Sequence, residues 1–327
     1  MSAIANSGKL IIVDVGASGG ADPRWEMSAL PSQKILFEPD PREFSRLKAA
    51  AGSTALVLQA ALGEKKEKAD FYLCAEQENS SLLKPNLELL SRFPNPARFA
   101  VQRTLELELD SLDHQLEQAG VSQVDFIKLD TQGTELPILK GGLKTLEKVM
   151  GLQVEVSFVS LYQNQPLFTD INNFLTSLDF ELFDIKRSFW VRDTKNLKQD
   201  LNKGQLLFGD ALYFRTPEAI LSQTDLTPER VIKAASVYLA YGYTDLAEVL
   251  RQHCMSLNQE QFLEASRIVD QAIQKSRRPF SDKLLKMKGR RLLLRMIEKA
   301  HFALKDQFTG WNRGTDEFLG NDTNREI

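Results

Sequence analysis

Short apolar runs punctuate the first two thirds of the chain, and helical spacings separate them. Leu10-Ile11-Ile12-Val13-Asp14-Val15, Ile35-Leu36-Phe37, Ala55-Leu56-Val57-Leu58, Phe126-Ile127-Lys128-Leu129 and Leu152-Gln153-Val154-Glu155-Val156 predict strands of a buried, mostly parallel sheet. Phe71-Tyr72-Leu73 and Thr104-Leu105-Glu106-Leu107-Glu108-Leu109 read as further strands, the second half exposed because it alternates. Asp40 to Ala50 predicts a helix with Phe44 and Leu47 on one face, and Leu136, Leu139 and Leu143 recur at helical spacing. After a helix over 170–177, Phe180 to Ile185 and Ala211 to Phe214 pair as a closing antiparallel hairpin.

From Thr216-Pro217 the strand signals stop and helical periodicity continues to about Leu304. Thr227-Pro228-Glu229 starts a helix with proline in its first turn, and Val231, Ala234, Ala235, Tyr238 and Leu239 form its buried stripe. The division this suggests is an α/β domain over 1–216, a helical appendage over 217–305 and a disordered tail over 306–327. Asn79 to Arg103, punctuated by Pro85, Pro94 and Pro96, reads as a functional loop inserted in the first domain.

The chemistry gathers where strands end. Gly16-Ala17-Ser18-Gly19-Gly20 closes the first strand, and glycines there let the backbone turn sharply and approach a ligand. The second strand ends in Glu38-Pro39, where dinucleotide-type folds hold a ribose diol; the bland alternative is an exposed helix start. Asp130 follows the apolar run 126–129, at the edge where open α/β sheets bind ligands, although an Asp before a helix is also a common N-cap.

Taken in order, these motifs resemble the FkbM family of S-adenosylmethionine-dependent methyltransferases. Val13-Asp14-Val15-Gly16-Ala17 is similar to the family's first motif and Phe37-Glu38-Pro39-Asp40 to its ribose-binding motif. Ile127-Lys128-Leu129-Asp130, Gly133, Glu135 and Leu139-Lys140-Gly141 resemble its most diagnostic segment, and the match runs on through Val154-Glu155-Val156, Tyr162 and Gly204 to Ala211. Ser18 stands where many methyltransferases have glycine, and Thr131-Gln132 replaces an apolar-acidic pair, which removes a negative charge beside Asp130.

The resemblance implies a class I methyltransferase Rossmann-like sheet, mostly parallel with a closing antiparallel hairpin, S-adenosylmethionine as cofactor, and O-methylation of a hydroxyl on a sugar, glycan or secondary metabolite. It implies a cofactor site of Asp14, Gly16, Ala17, Ser18, Gly20, Glu38, Pro39, Gln59, Ala60, Ala61 and Asp130. Asp130 and Glu155 are then the candidate bases, and Glu135 and Tyr162 are candidates to line the acceptor pocket, with Glu135 alternatively bracing the loop. Two other readings stay open: a nicotinamide-dependent oxidoreductase using the same glycine loop and Glu38, against which the hairpin argues, and a cofactor-binding module without turnover.

Composition narrows the partners. A net charge of −3 gives no general attraction to nucleic acid, so none is expected as partner. Cys74 and Cys254 lie far apart and read as reduced thiols of a cytoplasmic protein, and the histidines His114, His253 and His301 make no metal-ligand spacing, so no metal is expected. The start of the chain lacks a basic-then-apolar leader, and no apolar run approaches the length of a membrane span. Between Lys275 and Lys305 basic residues interleave with leucines, a pattern that fits contact with an anionic membrane surface or, on the favoured reading, a packed helix with a solvated basic face.

Overall fold

The computed structural model describes residues 8–17, 22–26, 28–51, 55–194 and 204–276. Along the chain these form β1 (Leu10–Val15), β2 (Ser32–Phe37), α1 (Pro41–Ala50), β3 (Ala55–Leu58), β4 (Ala61–Gly63), β5 (Glu67–Cys74), α2 (Leu87–Leu90), β6 (Val101–Ser111) and α3 (Leu112–Gln118). There follow β7 (Phe126–Leu129), α4 (Glu135–Lys140), α5 (Leu143–Leu146), β8 (Gly151–Ser157), α6 (Phe168–Thr176), β9 (Glu181–Trp190) and β10 (Gln205–Phe214). The helices α7 (Pro217–Leu221), α8 (Pro228–Ala240), α9 (Thr244–Ser256) and α10 (Glu260–Ser276) close the described chain.

Among the described residues, seven strands make one sheet in the order β3-β2-β1-β7-β8-β10-β9. The pairs from β3 to β8 are parallel. Strand β10 runs antiparallel between β8 and β9, so the expected closing hairpin is present. The order reverses between β1 and β7, which makes their carboxyl ends the switch point at which open α/β sheets bind ligands. The half-exposed strand at 101–111 does not join this sheet. It pairs with β4 and β5 in a separate sheet of order β4-β6-β5.

Alternate residues of a strand face opposite sides, and each face has its own cover. Val13, Val15, Ile127, Leu129 and Val154 pack against Leu112 and Leu116 of α3, Ile138 and Leu139 of α4, and Ile171 and Leu175 of α6. Ile12, Phe126, Leu212 and Phe214 pack instead against Val231 and Tyr238 of α8, Leu250 of α9 and Val269 of α10. Between β1 and β2 the described residues hold only a 3-10 turn at Pro23–Glu26, so the C-terminal helices supply the layer on that side. This explains why α8 is buried from Val231 to Ala240.

Two polar clasps fix these helices. Lys233 Nζ lies 3.3 Å from Asp125 Oδ2, which also accepts the Ile11 amide at 2.8 Å. The Arg215 guanidinium donates to the carbonyls of Leu146, Val149 and Leu178, while the Tyr238 hydroxyl donates to the Arg215 carbonyl at 2.5 Å.

The helical spacing from Leu136 to Leu143 is split into two short helices. Gly141 lies against β4 so closely that a Cβ there would meet the Gly63 carbonyl oxygen at 2.3 Å. The proline-punctuated insertion folds over the sheet edge and buries Leu90, Phe93 and Phe99 against Tyr162, Trp190 and Leu207. No described helix is long and apolar enough to cross a membrane. The basic stretch expected to meet a membrane or solvent lies, from residue 277 on, outside the described residues, as does the 306–327 tail.

Candidate functional site

Gly16 turns the chain away from β1 at φ +78°, a left-handed conformation that favours glycine. A Cβ on Gly16 would lie 2.0 Å from the Asp130 carbonyl oxygen. The turn therefore brings the ends of β1 and β7 into direct backbone contact, and the Asp130 amide donates to Val15 O at 3.0 Å. Beside this contact opens a cleft of about 670 Å³, counted with its solvent-open mouth. It is lined by Gly16, Glu38, Pro39, Asp40, Ala60, Ala61, Asp130, Thr131 and Gln132, and by Phe71 of β5 with Gln77 and Glu78 after it and Ser80 and Leu82 of the inserted segment.

Most of the expected cofactor residues thus converge. Ala17 lies behind the cleft, buried against Leu36 and Leu47. Gln59 is exposed, and Ala60 and Ala61 make the wall in its place. Ser18 and Gly20 lie outside the described residues. Asp14 points to the helix-covered face, where it borders a smaller cavity with Trp25, Lys34, Lys128 and Tyr241.

Glu38 is 6% exposed. Its Oε1 accepts the Asp40 amide at 2.9 Å. Burial pushes its carboxyl up to about 7, against the pull of that hydrogen bond and with help from Asp40 and Glu43. Asp40 itself caps α1 and is held by Arg42 at ion-pair distance. A desolvated carboxylate with acceptor capacity to spare, a backbone turn free of side chain and a small apolar wall are what a ribose, an amino-acid moiety and a purine respectively require. The residues present therefore fit S-adenosylmethionine.

The second half of the site is a row of charges across the ends of β1, β7, β8 and β10. Lys128 Nζ lies 3.7 Å from Asp14 Oδ1 and 3.6 Å from Asp130 Oδ2. Burial works against this ammonium, but Asp14, Asp130, Asp210 and Glu155 outweigh it and hold the pKa above the ordinary lysine value. Asp14 is pushed up to about 6 by burial, with Lys128 opposing. Glu155 is raised well above a normal glutamate by burial and by the charges of Asp130, Glu135 and Asp210. Gln132 bridges the two candidate bases: its Nε2 donates to Asp130 Oδ1 at 3.2 Å and to Glu155 Oε2 at 3.1 Å.

Glu135 and Tyr162 are both buried away from the cleft. Glu135 Oε1 accepts from the amides of Thr131 and Gly133 and from the Thr131 hydroxyl, so it braces the loop that carries Asp130. The Tyr162 hydroxyl lies 2.9 Å from Gln132 Oε1 and 3.0 Å from the Asn79 carbonyl, between the Asp130 loop and the inserted segment. Sequence reasoning gave no site role to Lys128, Gln132 or Asp210, quoted Asp40 only within the ribose-binding motif, and read the 77–82 wall only as part of a functional loop from Asn79 on. A lysine inside an otherwise apolar strand was the available hint at Lys128, but its partner Asp14 is set by the register of β1 and β7.

The strand order, the glycine turn after β1 and the acidic residue after β2 together define a class I S-adenosylmethionine-dependent methyltransferase. Residues 14–182 match the Methyltransferase FkbM domain, and the chain belongs to that family. It is 27% identical over 183 residues to the 2-O-methyltransferase NoeI of Sinorhizobium fredii, a match covering 52% of this chain and 72% of that protein. Among solved structures, magnesium protoporphyrin IX methyltransferase (ChlM) of Synechocystis PCC 6803 with bound S-adenosylmethionine aligns at a TM-score of 0.33 and 10% identity, over 65% of this chain and 74% of that one. The putative tRNA (m1A22) methyltransferase Sp1610 of Streptococcus pneumoniae aligns at a TM-score of 0.31 and 14% identity, over 84% and 99%. The strand order and the family match both point to a methyltransferase. They set aside the nicotinamide oxidoreductase reading.

Proposed function

We propose that the protein methylates a hydroxyl oxygen on a sugar, glycan or secondary metabolite, with Asp130 as the proton acceptor. The observation that carries this is the position of Asp130: it lines the cleft beside Gly16 and Thr131 and keeps its side chain 34% exposed. When bound, S-adenosylmethionine supplies an electrophilic methyl group on a leaving group that is already activated. What remains for the chain is to orient the acceptor and to take its proton, since a hydroxyl of high pKa needs a base within hydrogen-bond reach. Lys128, 3.6 Å from Asp130, offsets the negative charge gathered there. Burial favours the protonated form of Glu155, which leaves Asp130 as the acceptor facing the cleft. The 2-O-methyltransferase name of the Sinorhizobium relative supports an oxygen acceptor.

The test is turnover of S-adenosylmethionine against a panel of mono- and oligosaccharides and phenolic or aliphatic hydroxyl compounds, read as released S-adenosylhomocysteine. Asp130→Asn should lower turnover on any accepted compound by about a hundredfold or more while cofactor affinity stays close to wild type. Undiminished turnover in Asp130→Asn removes it as the base and makes Glu155→Gln the next variant.

A further inference from the structure

The Asp130–Glu155 pair is joined by the side-chain amide of Gln132. Gln132 sits two residues after Asp130 in a left-handed conformation, φ +57°, which swings its side chain back over the ends of β7 and β8. Its side-chain amide and its main-chain carbonyl are both used. The amide nitrogen donates to Asp130 Oδ1 and Glu155 Oε2, the amide oxygen lies 2.9 Å from the Tyr162 hydroxyl, and the main-chain carbonyl accepts from Ser81 Oγ at 2.8 Å. Tyr162 and Ser81 are each 1% exposed, so the partners that aim the amide are themselves fixed by packing.

We propose that Gln132 is the positioning residue of this site: it orients the Asp130 carboxylate toward the cleft and holds Asp130 and Glu155 in place through a neutral double donor. The proposal rests on the reading of Asp130 as proton acceptor. An amide is the group that the geometry calls for. Each carboxylate oxygen needs a donor, and Gln132 supplies two N–H bonds without adding charge. The surroundings are already crowded with charge. Asp14, Lys128 and Asp130 come from β1 and β7, Glu135 from α4, Glu155 from β8, Lys186 from β9 and Asp210 from β10. A glutamate at this position would place a further carboxylate within hydrogen-bond distance of two others, and like charges that close favour protonation. Because Tyr162 also lies 3.0 Å from the Asn79 carbonyl, Gln132 ties the orientation of the carboxylates to the segment that walls the cleft.

The experiment is a carboxyl titration by carbon-13 NMR on the full chain without cofactor or acceptor, with Asp130 and Glu155 assigned from Asp130→Asn and Glu155→Gln. Gln132→Met fills the same space and cannot donate, so both midpoints should rise by roughly one pH unit or more. Gln132→Glu should raise them further. Tyr162→Phe removes only the group that aims the amide, and it should give a smaller rise in the same direction; it carries the test if the Gln132 variants do not fold. Midpoints in Gln132→Met, or in Tyr162→Phe where only that variant folds, that coincide with wild type overturn the proposal. Midpoints that move as expected while Asp130→Asn keeps full turnover would leave the positioning role intact and sink the assignment of Asp130 as base.

Discussion

Glu38 offers a prediction in which stability and binding move in opposite directions. Its carboxyl rises from 4.5 to about 7 on folding, chiefly through burial. A raised carboxyl means that the folded protein binds a proton more tightly than the unfolded chain does. Stability from this group is therefore complete below about 4.5 and is lost as the pH climbs through about 7. At about 1.4 kcal/mol per pH unit, the gap amounts to roughly 3 kcal/mol as an upper figure by pH 8. Glu38→Gln keeps the oxygen that accepts the Asp40 amide and cannot ionise. The ligand-free variant should match wild type near pH 4.5 and melt several degrees higher at pH 8. Asp14 and Glu135 are also raised, but they add the same slope to both proteins and cancel in the difference. With its oxygen turned to Asp40, the new amide presents a donor where a ribose diol needs an acceptor. Calorimetry at pH 7.5 should then show S-adenosylmethionine binding weakened by about ten- to a hundredfold, the worth of a hydrogen bond to a charged group. The reasoning fails if the two melting curves run parallel across pH, or if affinity is unchanged.

Two further perturbations test the scaffold. Gly16→Ala combines a left-handed backbone with a Cβ aimed at the Asp130 carbonyl oxygen, so urea unfolding should show a loss of about 2 kcal/mol or more together with impaired cofactor binding; wild-type stability would refute the close approach of the two strand ends. Truncation after Arg215 keeps nearly every motif of the family but strips the cover from Ile12, Phe126, Leu212 and Phe214, so the fragment should aggregate or lack a cooperative melt, and a soluble fragment that binds S-adenosylmethionine would show that the helices are dispensable.

The sheet was legible because a strand buried on both faces needs a continuous apolar run, and five such runs stand out from Leu10 to Val156. Gly16, Glu38 and Asp130 were legible because they end those runs, and strand ends are where this kind of sheet binds ligands. Gln132 and Lys128 were not. Their roles depend on register, which sets Lys128 opposite Asp14 and, two positions further up, Glu155 opposite Asp210; no local pattern reports that pairing. The second sheet was hidden for a related reason. The alternation over 104–109 identifies a half-exposed strand but not its partners, and β6 takes β4 and β5 rather than an edge of the main sheet. Tyr162 shows the limit in the other direction: the resemblance places it at the acceptor, and burial places it behind Gln132, where its hydroxyl acts on the site through another side chain.

The helices that follow Pro217 bear on the chemistry through this same register. Between β1 and β2 the described residues hold only a 3-10 turn, and they leave one sheet face uncovered at the strand that carries Asp14. The end of α8 closes it. Tyr241 stacks on Phe126 with ring centroids 5.3 Å apart, lies beneath the Arg24 guanidinium at 3.9 Å, and donates its hydroxyl to Gln153 Oε1 at 3.1 Å. Gln153 is the register partner of Lys128, and Lys128 is the register partner of Asp14. The C-terminal helices therefore exclude water from behind the row of charges, and that exclusion is the main cause that lifts Asp14 to about 6. In a low-dielectric setting the attraction between Lys128 and its two aspartates is stronger than it would be in water. The helical layer thus sets the electrostatics of the site from its far side, although none of its described residues lines the cleft.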